Sequence, residues 1–179
     1  WNFIKKLTAS GDADLSFVDG TDDVVLDSTY KTYVFTFNNI HPESVFMLTF
    51  QGSTDTGSSY GVTATTTFFR SQQTEAGASA GVGYDTSMDL AQSTSFIYLG
   101  RPLKTDNDAS LSGTLTIFNP SSTTFVKHYM YNNQVMGTYC QNAFGAGYFN
   151  TTSAVDAFQF KMASDNIDSG DICLYGISS

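Results

Sequence analysis

Apolar and polar residues alternate at every second position over much of this chain. Near its end, Phe158, Phe160 and Met162 fall on one face of an extended segment, and the polar residues between them fall on the other. A polar link rich in Asp and Gly at residues 165–170 leads to a second apolar run at residues 172–176. We therefore expect a buried hairpin here, which would tie the last residues of the chain into the fold.

The same two-residue period recurs along the sequence and predicts an all-β protein. Its clearest form is the series Tyr33, Phe35 and Phe37, since bulky residues at alternate positions pack well on one face of a sheet. The predicted strands lie at residues 2–7, 15–18, 32–38, 45–50, 63–70, 96–99, 111–118, 123–131, 143–149, 158–162 and 172–176.

Clusters of Gly, Asp, Ser, Asn and Pro separate these runs and predict turns. Residues 19–23 and 52–59 have loop composition, and residues 119–122 form a compact turn that we expect to join two adjacent strands. Residues 77–83 are the longest irregular segment, so we predict a mobile loop and a candidate contact surface there. Only residues 87–92 have a composition that allows a helical turn.

Many short strands without a linker or an internal repeat indicate a single domain over residues 1–179. Eight or more antiparallel strands in one domain are typical of a jelly-roll-like β-sandwich. A chain of 179 residues should bury roughly 70% of its unfolded surface, so we expect no cofactor, structural metal or disulfide to be needed. Cys140 and Cys173 lie near aromatic residues, which favours buried free thiols, with a bridge as the alternative.

The charge balance excludes several classes of partner. The chain has eight Lys and Arg against seventeen Asp and Glu, a formal net charge of −9. Nucleic-acid binding requires a basic surface that neutralises phosphates, and an anionic membrane surface would repel this chain, so we expect neither partner. No apolar run is long enough to insert across a membrane.

Candidate catalytic residues are few. His41 and His128 are the only histidines, and each stands alone in the sequence; His41 has the setting of a turn residue and His128 lies in a predicted strand. Glycoside hydrolases use two carboxylates that flank the scissile bond, but Glu75 and Asp156 are most simply surface residues. We therefore predict that the protein is not an enzyme, and that it has no catalytic residues.

Three acidic clusters have the oxygen ligands that calcium prefers. Residues 165–171 hold the densest cluster, and residues 106–108 and 12–14 hold weaker ones. Asp and Asn also form turns without any metal, and none of the clusters has the length of an EF-hand loop. The turn interpretation is favoured, and we predict no metal site.

Aromatic residues in or near loops are candidates for sugar binding, because they can stack on a sugar ring. Trp1, Tyr60, Tyr84 and Tyr139 lie in such segments. The glycines at 145 and 147 lead into a predicted strand, whereas a phosphate-binding loop requires a following helix.

Six segments spread over nearly the full chain carry a further signal: residues 1–6 (WNFIKK), 27–30 (DSTY), 52–58 (GSTDTGS), 118–123 (FNPSST), 146–152 (AGYFNTT) and 174–177 (LYGI). In this order they resemble a family of small proteins encoded by marine tailed bacteriophages. The resemblance implies a virion structural protein, commonly linked to tail or head fibres, with a jelly-roll-like and trimeric module. It also implies that the sequon at residues 150–152 is not glycosylated.

Two classes of function follow from these observations. The first is a non-enzymatic virion component, a fibre, spike or decoration protein that forms a homotrimer and contacts other virion proteins. Residues 1–7 would then attach it to the particle, and distal loops would meet a host surface, for example a surface glycan. The second is a standalone carbohydrate-binding, lectin-like module. A stable trimer on a larger particle would favour the first, and saturable glycan binding by the isolated module would favour the second.

Overall fold

The computed structural model describes residues 1–178, and the regular structure in this range is β-strand. The strands are β1 (Asn2–Asp12), β2 (Leu15–Val18), β3 (Thr32–Pro42), β4 (Leu48–Ser53), β5 (Ala64–Gln73), β6 (Ala80–Tyr84), β7 (Ile97–Tyr98), β8 (Leu111–Phe118), β9 (Lys127–Met136), β10 (Cys140–Phe149), β11 (Ala157–Met162) and β12 (Ile167–Ile177). Within residues 1–178, no helix is long and apolar enough to cross a membrane.

The strands form two antiparallel sheets that pack face to face. The larger sheet has eight strands in the order β1-β12-β3-β8-β9-β10-β5-β6, and the smaller has four in the order β2-β11-β4-β7. Four strands of the larger sheet, β1-β12-β3-β8, face the smaller sheet in the strand order of a jelly roll. The predicted jelly-roll-like β-sandwich is confirmed. We call these eight strands the jelly-roll body.

Two hairpins inserted into the jelly roll prolong the larger sheet. Strands β5 and β6 lie between β4 and β7 in the chain, and β9 and β10 lie between β8 and β11. The two hairpins join because β10 pairs with β5 along its whole length, from Cys140 opposite Gln73 to Phe149 opposite Ala64. We call β9, β10, β5 and β6 the extension.

Phenylalanine rings fill the core of the jelly-roll body. The predicted inward series Tyr33, Phe35 and Phe37 is buried, as are Phe158 and Phe160. Phe35 on the larger sheet and Phe160 on the smaller sheet contact each other with ring centroids 5.0 Å apart. Alternation along each strand therefore directs these rings into the space between the two sheets.

The predicted hairpin at the end of the chain is wrong. Strand β11 pairs with β2 and β4 in the smaller sheet, whereas β12 pairs with β1 and β3 in the larger sheet. The polar link between them crosses from one sheet to the other, so the two strands face each other across the core. Sequence alternation identifies a buried strand face, but it does not identify the neighbouring strand.

Other local predictions had mixed outcomes. Residues 119–122 do precede a strand adjacent to β8, since β8 pairs with β9. The predicted mobile loop at residues 77–83 is wrong in its second half, because residues from Ala80 pair with β5 as strand β6. Residues 87–92 hold turns and bends instead of a helical turn. Both cysteines are free, but only Cys173 is buried; Cys140 is exposed at the start of β10.

Candidate functional site

The inner face of the extension is covered in part by the chain segment between β6 and β8. Leu90 lies against β5, where its backbone N–H donates to the Thr66 hydroxyl and its carbonyl accepts from the Thr66 N–H, both at 2.9 Å. Leu99 lies against β9, where its carbonyl accepts a 2.8 Å hydrogen bond from the Asn133 side chain. Beyond this point a pocket opens between the segment and the end of the extension.

The pocket has a volume of about 260 Å³ and is built from three parts of the chain. The extension strands supply its floor. The segment between β6 and β8, which we call the crossing segment, supplies one wall, and the β9–β10 turn supplies the other. We call it the arginine pocket, and it is lined by Arg70, Gln72, Val135 and Gln141, by Arg101 and Pro102, and by Gly137, Thr138 and Tyr139.

Both arginines of the chain meet at one carboxylate beside this pocket. Arg70 Nε lies 3.3 Å and Arg101 Nη1 lies 3.0 Å from the same oxygen, Asp85 Oδ2. The side chain of Asp85 is only 12% exposed. One carboxylate balances one guanidinium, so these three side chains keep one net positive charge on a chain whose net charge is −9.

Asp85 holds both arginines in place as an ionised group. Burial raises the pKa of Asp85, but hydrogen bonds from Ser87 and the charges of Arg101 and Arg70 outweigh burial and hold the pKa below its usual range. The Ser87 hydroxyl donates to Asp85 Oδ1 at 2.7 Å, which leaves Oδ2 for the guanidiniums. The carboxylate is therefore charged at neutral pH, and it orients the arginines towards the pocket.

The floor of the pocket holds a polar group without a partner. Gln141 is 3% exposed, and its side-chain nitrogen donates to Gln72 Oε1 at 3.3 Å. Gln72 Oε1 also accepts from Arg70 Nη1. The other end of the Gln141 amide, Oε1, has no hydrogen-bond partner among the described residues. A buried acceptor of this kind is uncommon in native proteins.

This arrangement of side chains is suited to binding an anionic ligand. Guanidinium groups donate charge-assisted hydrogen bonds to carboxylates, sulfates and phosphates, and the Gln141 oxygen accepts a hydrogen bond from a hydroxyl or amine. The lining residues hold no histidine, cysteine or carboxylate that would act as a base or nucleophile.

The aromatic residues predicted as sugar contacts lie in separate places. Tyr139 lines the arginine pocket, and Tyr60 lines a different pocket together with Asn150 and Thr151. Tyr84 donates its hydroxyl to Asp89, and Trp1 is 70% exposed beside Tyr175. Only Tyr139 is combined with charged groups in a pocket.

The tertiary structure brings His41 together with two of the acidic clusters. His41 Nδ1 lies 3.2 Å from Asp168 Oδ2, and Nε2 lies 3.2 Å from the carbonyl oxygen of Asp106. His41 and Asp168 line a second pocket together with Asn107 and Asp108. Within residues 1–178, however, no group of three or more His, Cys, Asp or Glu side chains is placed to hold a metal ion.

The remaining acidic candidates lie in turns or at strand edges, and three of them accept hydrogen bonds there. Asp12 accepts from the Ser10 N–H at 2.8 Å, and Asp171 accepts from the Thr8 hydroxyl and from Lys6. Asp156 accepts from the Thr56 N–H at 3.0 Å, and Glu75 lies in the turn between β5 and β6. These contacts organise turns and strand edges.

Sequence reasoning missed the residues that build the arginine pocket. Arg70, Asp85, Arg101 and Gln141 are far apart in the chain, and the only available signal was that the chain has just two arginines.

Residues 77–81 also read Gly-x-Ser-x-Gly. They turn from β5 into β6 and so lack the strand-to-helix setting of a nucleophile elbow.

The outer face of the larger sheet over the six strands from β3 to β6 forms a second candidate surface. Residues that pair on neighbouring strands form rows across this face, which run in the order β3, β8, β9, β10, β5 and β6. Three of these rows are Thr36-Thr114-Asn132-Phe144-Phe69-Tyr84, Val34-Thr116-Met130-Ala146-Thr67 and Ser112-Gln134-Asn142-Ser71-Val82. These rows contain no Asp, Glu, Lys or Arg. We call this surface the uncharged face. Large apolar side chains on it are exposed, including Met130, Phe144, Phe69 and Val82. The other histidine, His128, lies on the same face opposite Tyr148.

Neither a protein-family model nor a curated protein sequence matches the chain.

Proposed function

We propose that this chain is a non-enzymatic structural protein of a virion, a fibre, spike or decoration component that assembles as a homotrimer. The resemblance to proteins of marine tailed bacteriophages supports the virion assignment and the trimer. The jelly-roll body is compatible with it, because viral capsid domains and lectins use this architecture.

The uncharged face is the observation that carries the assembly part of the proposal. Copies of a chain with a net charge of −9 repel each other, so they approach most easily through a surface without charges. Interface cores are depleted in charged residues and enriched in Phe, Tyr and Met. Met130, Phe144, Phe69 and Tyr84 supply this composition on the uncharged face, and all four are more than 40% exposed in the single chain.

Attachment to a larger particle is assigned to the edge of the body that residues 1–7 form. Trp1 and Phe3 are 70% and 61% exposed, and both rings contact the ring of Tyr175. Strand β1 pairs with β12 from Asn2 onwards, so removing residues 1–6 would also remove sheet hydrogen bonds. The double substitution Trp1→Ser and Phe3→Ser tests attachment without that effect, and continued binding to the particle would argue against this role.

Solution mass by light scattering at several concentrations tests the trimer. We expect a concentration-independent trimer for the natural chain and a monomer for Met130→Glu with Phe144→Glu, since the substitutions place charges within the proposed contact. Phe125→Glu is the matched control, because Phe125 is 68% exposed in the loop before β9, outside the uncharged face. A natural chain that stays monomeric, or a double variant that stays trimeric, would contradict assembly through this face.

A second candidate function, a standalone carbohydrate-binding module, is favoured by the arginine pocket. A monomer in solution that binds a glycan saturably would support this alternative over the virion assignment.

A further inference from the structure

We propose that the arginine pocket binds an acidic sugar, with the arginines on its carboxylate and the Gln141 oxygen on one of its hydroxyls. This inference does not depend on the proposed assembly, because the pocket lies on the inner face of the extension and the proposed contact lies on the outer face.

Arg101 supplies free donors for the carboxylate. A guanidinium carries five N–H groups, and within residues 1–178 the Arg101 side chain donates only to Asp85. Its side chain is 36% exposed, so the unused donors can reach a ligand. Arg70 is held more tightly, since it bonds both Asp85 and Gln72. The pair therefore combines one fixed positive charge with one accessible guanidinium.

The unpartnered Gln141 oxygen calls for a ligand that donates a hydrogen bond. Its amide nitrogen is committed to Gln72, so the orientation of the amide leaves Oε1 as an acceptor. A sulfate or a simple carboxylate has no proton to give to this oxygen at neutral pH. A sugar acid has both groups: an ionised carboxylate and neighbouring hydroxyls. An acidic peptide also supplies carboxylates and backbone N–H donors, but an Asp-rich peptide has no sugar ring to lie against Tyr139.

The volume of the pocket agrees with a ligand of monosaccharide size. Its volume of about 260 Å³ lies just below the range of roughly 300–1,000 Å³ typical of small-molecule sites. Tyr139, an aromatic residue that can lie against a sugar ring, and the Thr138 hydroxyl border it.

Isothermal titration calorimetry at low salt tests the proposal with sodium glucuronate as the probe. Glucose serves as the uncharged match, sodium sulfate as an anion without a hydroxyl group, and a short Asp-rich peptide as the protein-like source of carboxylates. We expect glucuronate to bind at least about tenfold more tightly than each of the others, since charge-assisted hydrogen bonds to arginine are strong. An oligomer of glucuronate is then compared with the monosaccharide, and tighter binding of the oligomer would identify a polysaccharide as the source.

Three variants assign the binding to named groups. Arg101→Gln should weaken glucuronate binding about tenfold or more through loss of one charge-assisted contact. Gln141→Leu should remove most of the preference for glucuronate over sulfate and keep anion binding. Lys31→Gln removes an exposed cation elsewhere and should leave the affinity unchanged. Circular dichroism and melting temperature verify that each variant is folded.

Each other outcome would overturn the proposal in a defined way. Equal affinity for glucuronate and sulfate would show a general anion site, and tighter binding of the peptide would indicate a protein partner. An unchanged affinity for glucuronate in a folded Arg101→Gln variant would place the ligand elsewhere. No measurable binding of any anion would remove the site altogether. None of these results depends on whether the chain is a trimer or a monomer.

Discussion

The jelly-roll body and the extension share the larger sheet but have different interiors. The body encloses phenylalanine rings, with Phe160 in contact with Phe17, Phe35, Phe37 and Phe50. The interior of the extension is more polar. Among residues 1–178, the buried side-chain atoms that lack a hydrogen-bond partner are Tyr129 Oη, Asn133 Oδ1 and Gln141 Oε1 on the inner face of β9 and β10, and Asn142 Oδ1 on the outer face of β10.

This difference separates stability from recognition. Burial of apolar rings is the main source of stability in a folded domain, whereas each unpartnered buried polar atom costs about 1–3 kcal/mol. The body therefore holds most of the stability of the fold. The extension retains polar groups at a cost, and Gln141, one of those groups, lines the arginine pocket.

Glycine residues make room for this polar interior. A Cβ at Gly145 would collide with the ring of Tyr131, and a Cβ at Gly147 would collide with Tyr129. Each tyrosine side chain occupies space that a side chain at the glycine would need. The glycines at 145 and 147, which do not form a phosphate-binding loop, thus have a packing role within strand β10.

The largest expected effect is in the body, from Phe160→Ala. Phe160 is fully buried and contacts four other rings, so its loss should lower the free energy of unfolding by about 3–5 kcal/mol. Phe68→Ala in the extension should cost less, since among residues 1–178 the ring of Phe68 contacts one other aromatic ring, that of Tyr131. Urea denaturation measures both, and an equal or larger cost at Phe68 would contradict the assignment of stability to the body.

The next effect is in the extension, from Gly145→Ala. The added methyl group must displace the ring of Tyr131, and such overpacking costs about 1–3 kcal/mol. Gly83→Ala is the matched control, because a Cβ there meets nothing within 4 Å. Equal melting temperatures of the two variants would show that the tyrosine has room to move.

Alkaline pH should destabilise the protein through tyrosines of both regions. Burial raises the pKa of Tyr33 in the body to about 12, and burial raises the pKa values of Tyr129 and Tyr131 in the extension as well. The unfolded chain loses these protons near pH 10, so stability is complete below pH 10 and falls as the pH rises towards 12. Urea midpoints at pH 9 and pH 11 measure the decrease, which the double variant Tyr129→Phe with Tyr131→Phe should reduce. Equal midpoints at the two pH values would exclude this linkage.

The smallest effect comes from replacing one tyrosine by phenylalanine in each region. The change in stability should have opposite signs in the extension and in the body. Tyr129→Phe removes a buried hydroxyl without a partner and should stabilise the protein by about 1 kcal/mol. Tyr33→Phe removes a hydroxyl that donates to the Asp27 carbonyl at 3.0 Å and should destabilise it by about 1 kcal/mol. Thermal unfolding of both variants under identical conditions gives the comparison, and shifts of the same sign would argue against a difference between the two interiors.

The alternation of apolar residues was sufficient to predict the fold class and most strand positions. Tyr33, Phe35 and Phe37 show why, since a two-residue period marks one face of a strand wherever that strand lies. The same pattern did not reveal that β11 and β12 belong to different sheets. It also missed β6, because this strand contains small residues and glycines, which do not favour strands in sequence. Pairing with β5 forms the strand.

The sequence alone determined that the chain is an acidic, all-β protein with aromatic strand faces, because composition and local alternation are properties of single segments. Only the tertiary structure decided which segments meet. Arg70, Asp85, Arg101 and Gln141 come from four separate stretches, and their meeting depends on the pairing of β10 with β5 and on the path of the crossing segment. Long-range pairing sets these contacts, and no local pattern in the sequence encodes it.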